Sequence, residues 1–450
     1  MRSISCVLGV VLCLFSGCAG DDAPAGVNYP QDVVLVILCT ARADQFTGFG
    51  TSTDTTPYLY SQMRSGAVFQ QTVAQAPWTK PASVAVLTGQ HPASVGMVEP
   101  KPGRNDRALT PAATLLSERL QHEGFQTVGA TANPNLNGHF GFNQGFDDYI
   151  ETSPLMREGG VKVLARGVAD ALYQSIRQRD STRPMYVQVM LVDAHRPFNV
   201  KARHHREADN TYPVEVRQYR SALRQLDDGF SALQQTLISA RPGLAEALWV
   251  VVGDHGEGLS YPKHHGTSHG TTLYPSVTHV PLGMWGADIS ENTSVSGLAA
   301  QVDVVPTVLG LLNLPTDDTL KGVDFSSLLR KGGGESPRRE VYTSTWFRWA
   351  KRVARYDSEG MCQKDFNVEG TRRQLSKAKP TQGLYAFPDG CFDSEKDPAL
   401  VTPILNTEKQ TMIERWYQGR VLENQQWDHK IDSEIPSGID AQLKALGYAE

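Results

Sequence analysis

Asp254 and His255 stand side by side where the apolar run LWVVV (248–252) stops at Gly253. A carboxylate and an imidazole delivered together at a strand end can bind a divalent cation, which would polarise an ester and acidify a nearby nucleophile. The same pair can instead form a helix cap or an Asx-turn, a frequent use of Asp after a strand. Two other strand-like runs end on reactive side chains. DVVLVIL (32–38) leads into Cys39 and Thr40, and MYVQVMLVDAH (185–195) ends on His195. Ligands of open parallel sheets bind at the carboxyl ends of strands. Residues far apart in the chain can therefore meet at one rim.

The elements that would position them alternate. DVVLVIL is unbroken in its hydrophobicity, as expected of a strand buried on both faces. Thr110 is placed to cap a helix PAATLLSERLQHEG that ends at Gly124. FQTVGATANP (125–134) reads as the next strand. Tyr219, Leu223, Leu226, Phe230, Leu233 and Leu237 recur at three and four residues, which makes one apolar helix face. This order predicts an α/β protein with a largely parallel sheet. After about residue 335 the pattern changes: VYTSTWFRWAKRVARYD predicts antiparallel strands, and IDAQLKAL a short final helix. The expected organisation is an α/β domain over 30–335, a linker in KGGGESP (331–337), and a smaller α+β subdomain over 336–450.

The chain has 450 residues and a formal net charge of -5, which gives no electrostatic reason to expect nucleic-acid binding. Its first residues are unlike the rest. Arg2, the apolar run ISCVLGVVLCLF and the small residues before Cys18 describe an export signal over 1–17, too short to span a bilayer comfortably. Phe15-Ser16-Gly17-Cys18 resembles the bacterial lipobox, with Phe where Leu is usual. That resemblance implies lipidation of Cys18, a tether over 18–29, and a lipid-anchored protein of the bacterial cell envelope facing the periplasm or the exterior. A plain secretory signal is the alternative. Of the six cysteines, Cys6 and Cys13 would leave with the signal. Cys362 and Cys391 share one turn-rich region and are the expected disulfide in an oxidising compartment. Cys39 is then the odd thiol.

Taken in order, these motifs resemble the sulfatase family of the alkaline phosphatase superfamily. DVVLVILCTARADQF resembles its opening strand and Arg-x-Asp; APWTKPASVAVLTGQHP (76–92) resembles its nucleophile segment. NQGFDDY, VDAHRPF, GDHGEG, SHGTTLYPSVTHVPL and VDVVPTVLGLLNLP follow in the family's order, and GLYAFPDGCFDSEKDPAL and LKALGYAE resemble its late motifs. The resemblance covers nearly the whole mature chain. It implies an alkaline-phosphatase-like α/β sandwich with a central mixed, largely parallel sheet and a C-terminal subdomain.

Two departures alter the expected chemistry. The family's formylglycine is made from a cysteine or serine in a C/S-x-P-S-R pattern. Here the stretch is Thr79-Lys80-Pro81-Ala82-Ser83. Thr79 cannot give that aldehyde, because its carbinol carbon bears a methyl group. No formylglycine is expected, and Ser83 stands in place of the arginine. Threonine is the nucleophile in related phosphodiesterases and phosphoglycerol transferases of the superfamily. The second departure is Cys39, at the position of the family's first metal-binding carboxylate. A thiolate favours zinc over calcium or magnesium. Cys39, Asp254 and His255, with Thr79 as ligand and nucleophile, would make a site for one divalent ion, zinc or manganese rather than calcium. Alternatively Cys39 is a small buried residue at a strand end, and Thr79 an N-cap of the helix that follows.

Further roles follow from the resemblance. His195 would bond the ester oxygens or protonate the leaving group, unless it is structural. His269 matches an active-site position, and His265 and Lys80 are candidates for substrate binding; each could instead be solvated. Asp227 and Asp303 match family positions but read as structural. Three functions remain open. One is a hydrolase or phosphoglycerol-type transferase acting on phosphate or sulfate esters, with a glycan or lipid head group as substrate. The second is a pseudoenzyme that binds anionic glycans, and the third an envelope structural protein.

Overall fold

The computed structural model describes residues 31–50, 54–97, 107–152, 162–198, 200–201, 212–347, 350–366, 389–398, 400–425 and 435–446. The segment 1–17, the tether 18–29 and Cys18 lie outside the described residues. So do part of the GLYAFPD motif and the last four residues.

Thirteen strands are described: β1 Val33–Leu38, β2 Ala67–Val73, β3 Gln126–Thr131, β4 Asp148–Glu151, β5 Met185–Leu191, β6 Leu248–Gly253, β7 His279–Trp285, β8 Thr293–Ala300, β9 Gly333–Glu335, β10 Glu340–Thr345, β11 Arg352–Asp357, β12 Gly360–Asp365 and β13 Gly390–Asp393. The first nine form one sheet in the order β4-β3-β5-β1-β6-β7-β2-β8-β9, and the last four a second sheet, β10-β11-β12-β13. β1 runs parallel to β5 on one side and β6 on the other. β7 alone is antiparallel to its neighbours β6 and β2, so the large sheet is mixed. All six residues of β1 are buried, as its unbroken hydrophobicity predicts. Tyr219, Leu223, Leu226, Phe230, Leu233 and Leu237 are all buried along one helix, Val214–Ala240.

Register is what gathers the site. Leu38 pairs with Leu191 of β5 and with Gly253 of β6, so the three central strands end at one level. β3 is one step behind, with Thr131 opposite Met190. Cys39-Thr40, the turn carrying His195, and Asp254-His255 therefore leave the sheet on the same edge.

Three expectations need correction. KGGGESP is not a free linker: Gly333–Glu335 is edge strand β9, parallel to β8. Gly333 has φ of 95°, and a Cβ there would meet Ser294 O at 2.4 Å, so this glycine serves close strand approach. Thr110 does not cap the long helix. It accepts from Ala112 N in a local turn, and the helix begins later, at Leu116–His122, where Glu118 accepts from Leu115 N. The region 336–450 is not one body either. The second sheet and the helix Thr407–Gln425 pack together around Val353, the cysteine pair and Ile413, but the last helix, Ser437–Ala445, buries Leu443 in the large core. Asp227 and Asp303 are structural, as expected. Asp227 accepts from Tyr58 N and Leu59 N at the start of the helix Pro57–Arg64. Asp303 accepts from Ala300 N and Val323 N and pairs with Arg338.

Cys362 and Cys391 face each other across β12 and β13 and are bonded, while Cys39 is buried and outside any disulfide. With a sequence separation of 29 between the two ends, loop-closure entropy assigns this bridge about 3–4 kcal/mol. Cys362→Ser/Cys391→Ser should lose roughly that much in denaturant unfolding of the C-terminal sheet. Non-reducing peptide maps of the native chain should find Cys39 unlinked.

Candidate active site

Thr79 opens the helix Thr79–Thr88, entered from the extended residue Trp78 and closed by Gly89 in the left-handed region. Thr79 is thus the first helical residue and not the N-cap. Its hydroxyl points to the rim of the large sheet, where Oγ1 lies 3.2 Å from His255 Nε2 and 3.6 Å from Cys39 Sγ. Asn133, two residues beyond β3, directs Nδ2 at Cys39 Sγ (3.4 Å) and Thr79 Oγ1 (3.5 Å). That amide is held by its other end, since Oδ1 accepts from Asn135 N and Asn135 Nδ2.

Asp254 ties the ends of β1 and β6 together. Its Oδ1 accepts from Thr40 N (2.9 Å) and His255 N (2.6 Å). Thr40 is held at φ of 56°, a costly conformation for a β-branched residue. Three bonds support it: the one to Asp254, one from its own hydroxyl to Cys39 O, and one from the Tyr219 hydroxyl to Thr40 O. Asp254 Oδ2 is buried with no N–H or O–H donor; His255 Nε2 stands 3.5 Å away. Burial raises the Asp254 carboxyl to about 7, against the opposing pull of its backbone donors.

His255 Nδ1 lies 2.8 Å from Gly256 O, and a carbonyl can only accept. Nδ1 therefore carries the proton, and Nε2 presents a lone pair. Burial holds this ring well below the usual histidine range, so it is neutral at pH 7. Sulfur of Cys39, an oxygen of Asp254 and a nitrogen of His255 lie within 4.8 Å of one another. A buried carboxylate oxygen without a donor, beside a lone-pair nitrogen and a thiol, is a donor set suited to a divalent cation and soft enough for zinc. The sequence-based ligand set fits a metal on these grounds.

His195 is 1% exposed at the end of the turn after β5. Its Nδ1 donates to Arg196 O at 2.6 Å, and burial, His269 and Lys162 keep the ring neutral. His269 bridges the imidazoles, with ring centres 4.4 Å from His255 and 5.4 Å from His195. Its Nδ1 lies 3.3 Å from Glu257 Oε2, a carboxylate that Arg196 approaches to 3.8 Å. Arg42 locks the neighbouring loops: it forks onto Asp44 and donates to the carbonyls of Glu257 and Gly258.

Other expected residues have different surroundings. Lys80 is buried with Nζ 3.6 Å above the Phe140 ring and donating to Arg107 O. His265 stacks on Tyr274 (4.3 Å) and has Nδ1 3.1 Å from Ser276 Oγ. Ser83, which the resemblance sets at the family arginine, is buried and its Oγ has no hydrogen-bond partner among the described residues. Asn133, Glu257 and Lys162 were missed by sequence reasoning. Asn133 had a signal, a polar residue just past a strand. Glu257 lay inside the quoted GDHGEG. Nothing local marks Lys162.

The large mixed sheet, with its site at the carboxyl ends of the central strands, has the alkaline-phosphatase-type α/β fold seen in solved sulfatase structures. Within that class the chain belongs to the sulfatase family, whose model matches residues 31–314. It is 32% identical over 115 residues to arylsulfatase K of Gallus gallus, a match that spans 25% of this chain and only 20% of that protein's length. Human arylsulfatase A is 24% identical over 430 residues, covering 84% of this chain and 83% of that protein. A structure solved with its substrate D-glucosamine-2-N,6-O-disulfate superposes with a TM-score of 0.67 at 14% identity, covering 90% of this chain and 100% of that one. The phosphonate monoester hydrolase of Agrobacterium radiobacter superposes with a TM-score of 0.65 at 14% identity, covering 88% and 95%.

Two outcomes test the site. A Cβ on Gly256 would sit 2.1 Å from Ser276 O, a backbone atom that cannot swing aside. Gly256→Ala should destabilise the fold by about 2–3 kcal/mol in thermal or denaturant unfolding. In metal titrations with elemental analysis, the chain should take up one zinc ion. Asp254→Ala should weaken that uptake by more than about 100-fold, and Cys39→Asp should shift preference toward manganese or magnesium.

Proposed function

We propose that this chain is a metal-dependent hydrolase of phosphate esters with Thr79 as its nucleophile. The observation that carries the reading is the Thr79 hydroxyl, set at a helix N-terminus beside Cys39 and 3.2 Å from His255 Nε2. Cys39, Asp254 and His255 would hold the cation. When bound, it supplies Lewis acidity to the ester oxygens and the Thr79 hydroxyl. The remaining work falls to protein groups. Asn133 orients the Thr79 oxygen. That oxygen attacks phosphorus, the Oγ1–P bond forms and the bond to the leaving alkoxide breaks, and the proton given up by the Thr79 hydroxyl passes through solvent to the alkoxide. Backbone N–H groups of the helix's first turn favour the anion in place. In the second step water attacks the threonine phosphate, the Oγ1–P bond breaks, and the proton that water gives up returns to Thr79 Oγ1. His195, neutral with its Nδ1 proton committed to Arg196 O, offers Nε2 to accept the water proton.

The preference for phosphate follows from the missing aldehyde. A sulfated formylglycine hydrate expels sulfate by itself, whereas a threonine sulfate must await direct attack by water or an alcohol. Transfer to an acceptor alcohol, the phosphoglycerol-type alternative, needs only that the alcohol replace water. The relative solved with a sulfated glucosamine supports an anionic sugar ester as substrate, with a lipid head group the other candidate. Arg2, the apolar run after it and Cys18 support a lipid-anchored place in the bacterial envelope.

A catalytically degenerate binder of anionic glycans is the second reading. Cys39 and Ser83, each in place of a family catalytic residue, favour it. Turnover of paired aryl phosphate, phosphodiester and sulfate esters, with zinc, manganese or magnesium supplied in turn, separates the two. Phosphate-ester hydrolysis should exceed sulfate hydrolysis, and Thr79→Ala should abolish it while metal stays bound. Sulfate turnover that survives Thr79→Ala would sink the nucleophile assignment. Metal bound without turnover of any ester would favour the degenerate binder.

A further inference from the structure

The turn after β5 leaves its carbonyls in a buried place. Val192, Asp193 and His195 are each at most 3% exposed, and their oxygens need donors. Val192 O accepts from His195 N at 3.0 Å, and one side chain reaches all three. Lys162, 4% exposed, donates from Nζ to Val192 O at 3.1 Å, to Asp193 O at 3.3 Å, and closely to His195 O. An ammonium has three N–H bonds, and three carbonyls take them. The attachment is reciprocal. The Asp193 carboxylate accepts from Ala165 N (3.1 Å), the first residue of the helix Ala165–Arg177 that Lys162 precedes. Lys162 reaches the turn, and the turn caps the helix.

We propose that Lys162 is a positioning residue of the site: its buried ammonium clamps the Val192–His195 turn and so sets the placement and single tautomer of His195. The carbonyl cage requires a cation with several donors, which an apolar side chain of equal length cannot replace. With the turn fastened, Arg196 O stays within reach of His195 Nδ1, and Nε2 stays aimed along the edge shared with His269. Burial lowers the Lys162 ammonium only to about 8, with Asp193 and Cys39 opposing the fall, so the clamp stays charged for the most part at pH 7. The consequence for catalysis rests on the role given to His195 above; the geometric claim does not.

The test is imidazole nitrogen NMR of His195 in the full chain, assigned with His195→Gln, for the native protein, Lys162→Met and Lys162→Arg. The native ring should show one tautomer, protonated at Nδ1. Lys162→Met should give mixed or exchange-broadened tautomers while near-ultraviolet circular dichroism stays native, and Lys162→Arg should restore the single form. Where an ester is turned over, Lys162→Met should lower kcat about tenfold or more with KM nearly unchanged, and Lys162→Arg should recover most of it. An unaltered His195 spectrum in folded Lys162→Met overturns the proposal. Absence of turnover in the native protein bears on the hydrolase reading and leaves the spectral test standing. Should Lys162→Met fail to fold, the native protein still decides. Its Lys162 ammonium protons should exchange slowly enough to be observed, and exchange as fast as that of surface lysines would overturn the clamp.

Discussion

Everything at the site depends on three parallel strands ending level. Leu38, Leu191 and Gly253 are register partners, so the chain leaves β1, β5 and β6 at the same height. A slip of one residue would turn each side chain to the opposite face. The slip is resisted because all three strands are buried throughout, and each apolar face has a core to fill. Asp254 then fastens two of the strand ends together through Thr40 N. Thr40 accepts a left-handed conformation there, and Tyr219, from the long helix, bonds its carbonyl. The strain is local, and a hydrogen-bond network on both sides of it determines the geometry.

Burial is the second constraint, and it acts on charge. Cys39, Thr79, Asp254 and His255 are all at most 1% exposed. In such surroundings an imidazole prefers to be neutral and a carboxyl prefers its proton, which is the direction found for His255, His195 and Asp254. Neutral rings with their Nδ1 protons given to carbonyls turn lone pairs inward. An acid with one oxygen lacking a donor does the same. The cluster is thus rich in electron pairs, and a bound cation would take the place of the carboxyl and thiol protons that burial favours.

The departures from the sulfatase pattern form a consistent set. Ser83, which the resemblance sets at the family arginine, has a small and buried hydroxyl. Lys80, next to Thr79, places its ammonium on a carbonyl and an aromatic face. Cys39 offers a soft sulfur where the resemblance expects a carboxylate. The Asn133 amide and the imidazoles of His195 and His269 occupy the rim. A site of this kind depends more on how its donors are oriented than on how many charges it holds, which gives weight to the residues behind them: Asn135, Glu257 and Lys162.

The buried strands, the long amphipathic helix and the disulfide partners were legible in the sequence, as were Cys39, His195, Asp254 and His255 as strand-end candidates for one rim; Thr79 and His269 joined them only through the family resemblance. The first group rests on local chemistry: unbroken apolar runs, three-and-four spacing, two cysteines in one turn-rich region, and polar residues immediately after strands. Tertiary structure decided what local pattern cannot carry. The KGGGESP stretch has the composition of a linker, yet Gly333 is there because Ser294 O comes too close for a Cβ. Thr110 looked like a cap, but Glu118 binds the Leu115 N–H, and the helix begins there instead. Thr79 had the side chain of a cap and turned it toward His255. Lys162 had no signature at all, because its partners are backbone carbonyls 30 to 33 residues away. Hydrophobic periodicity records which face of an element is buried; it holds no record of which distant oxygen will need a proton donor once the chain has closed.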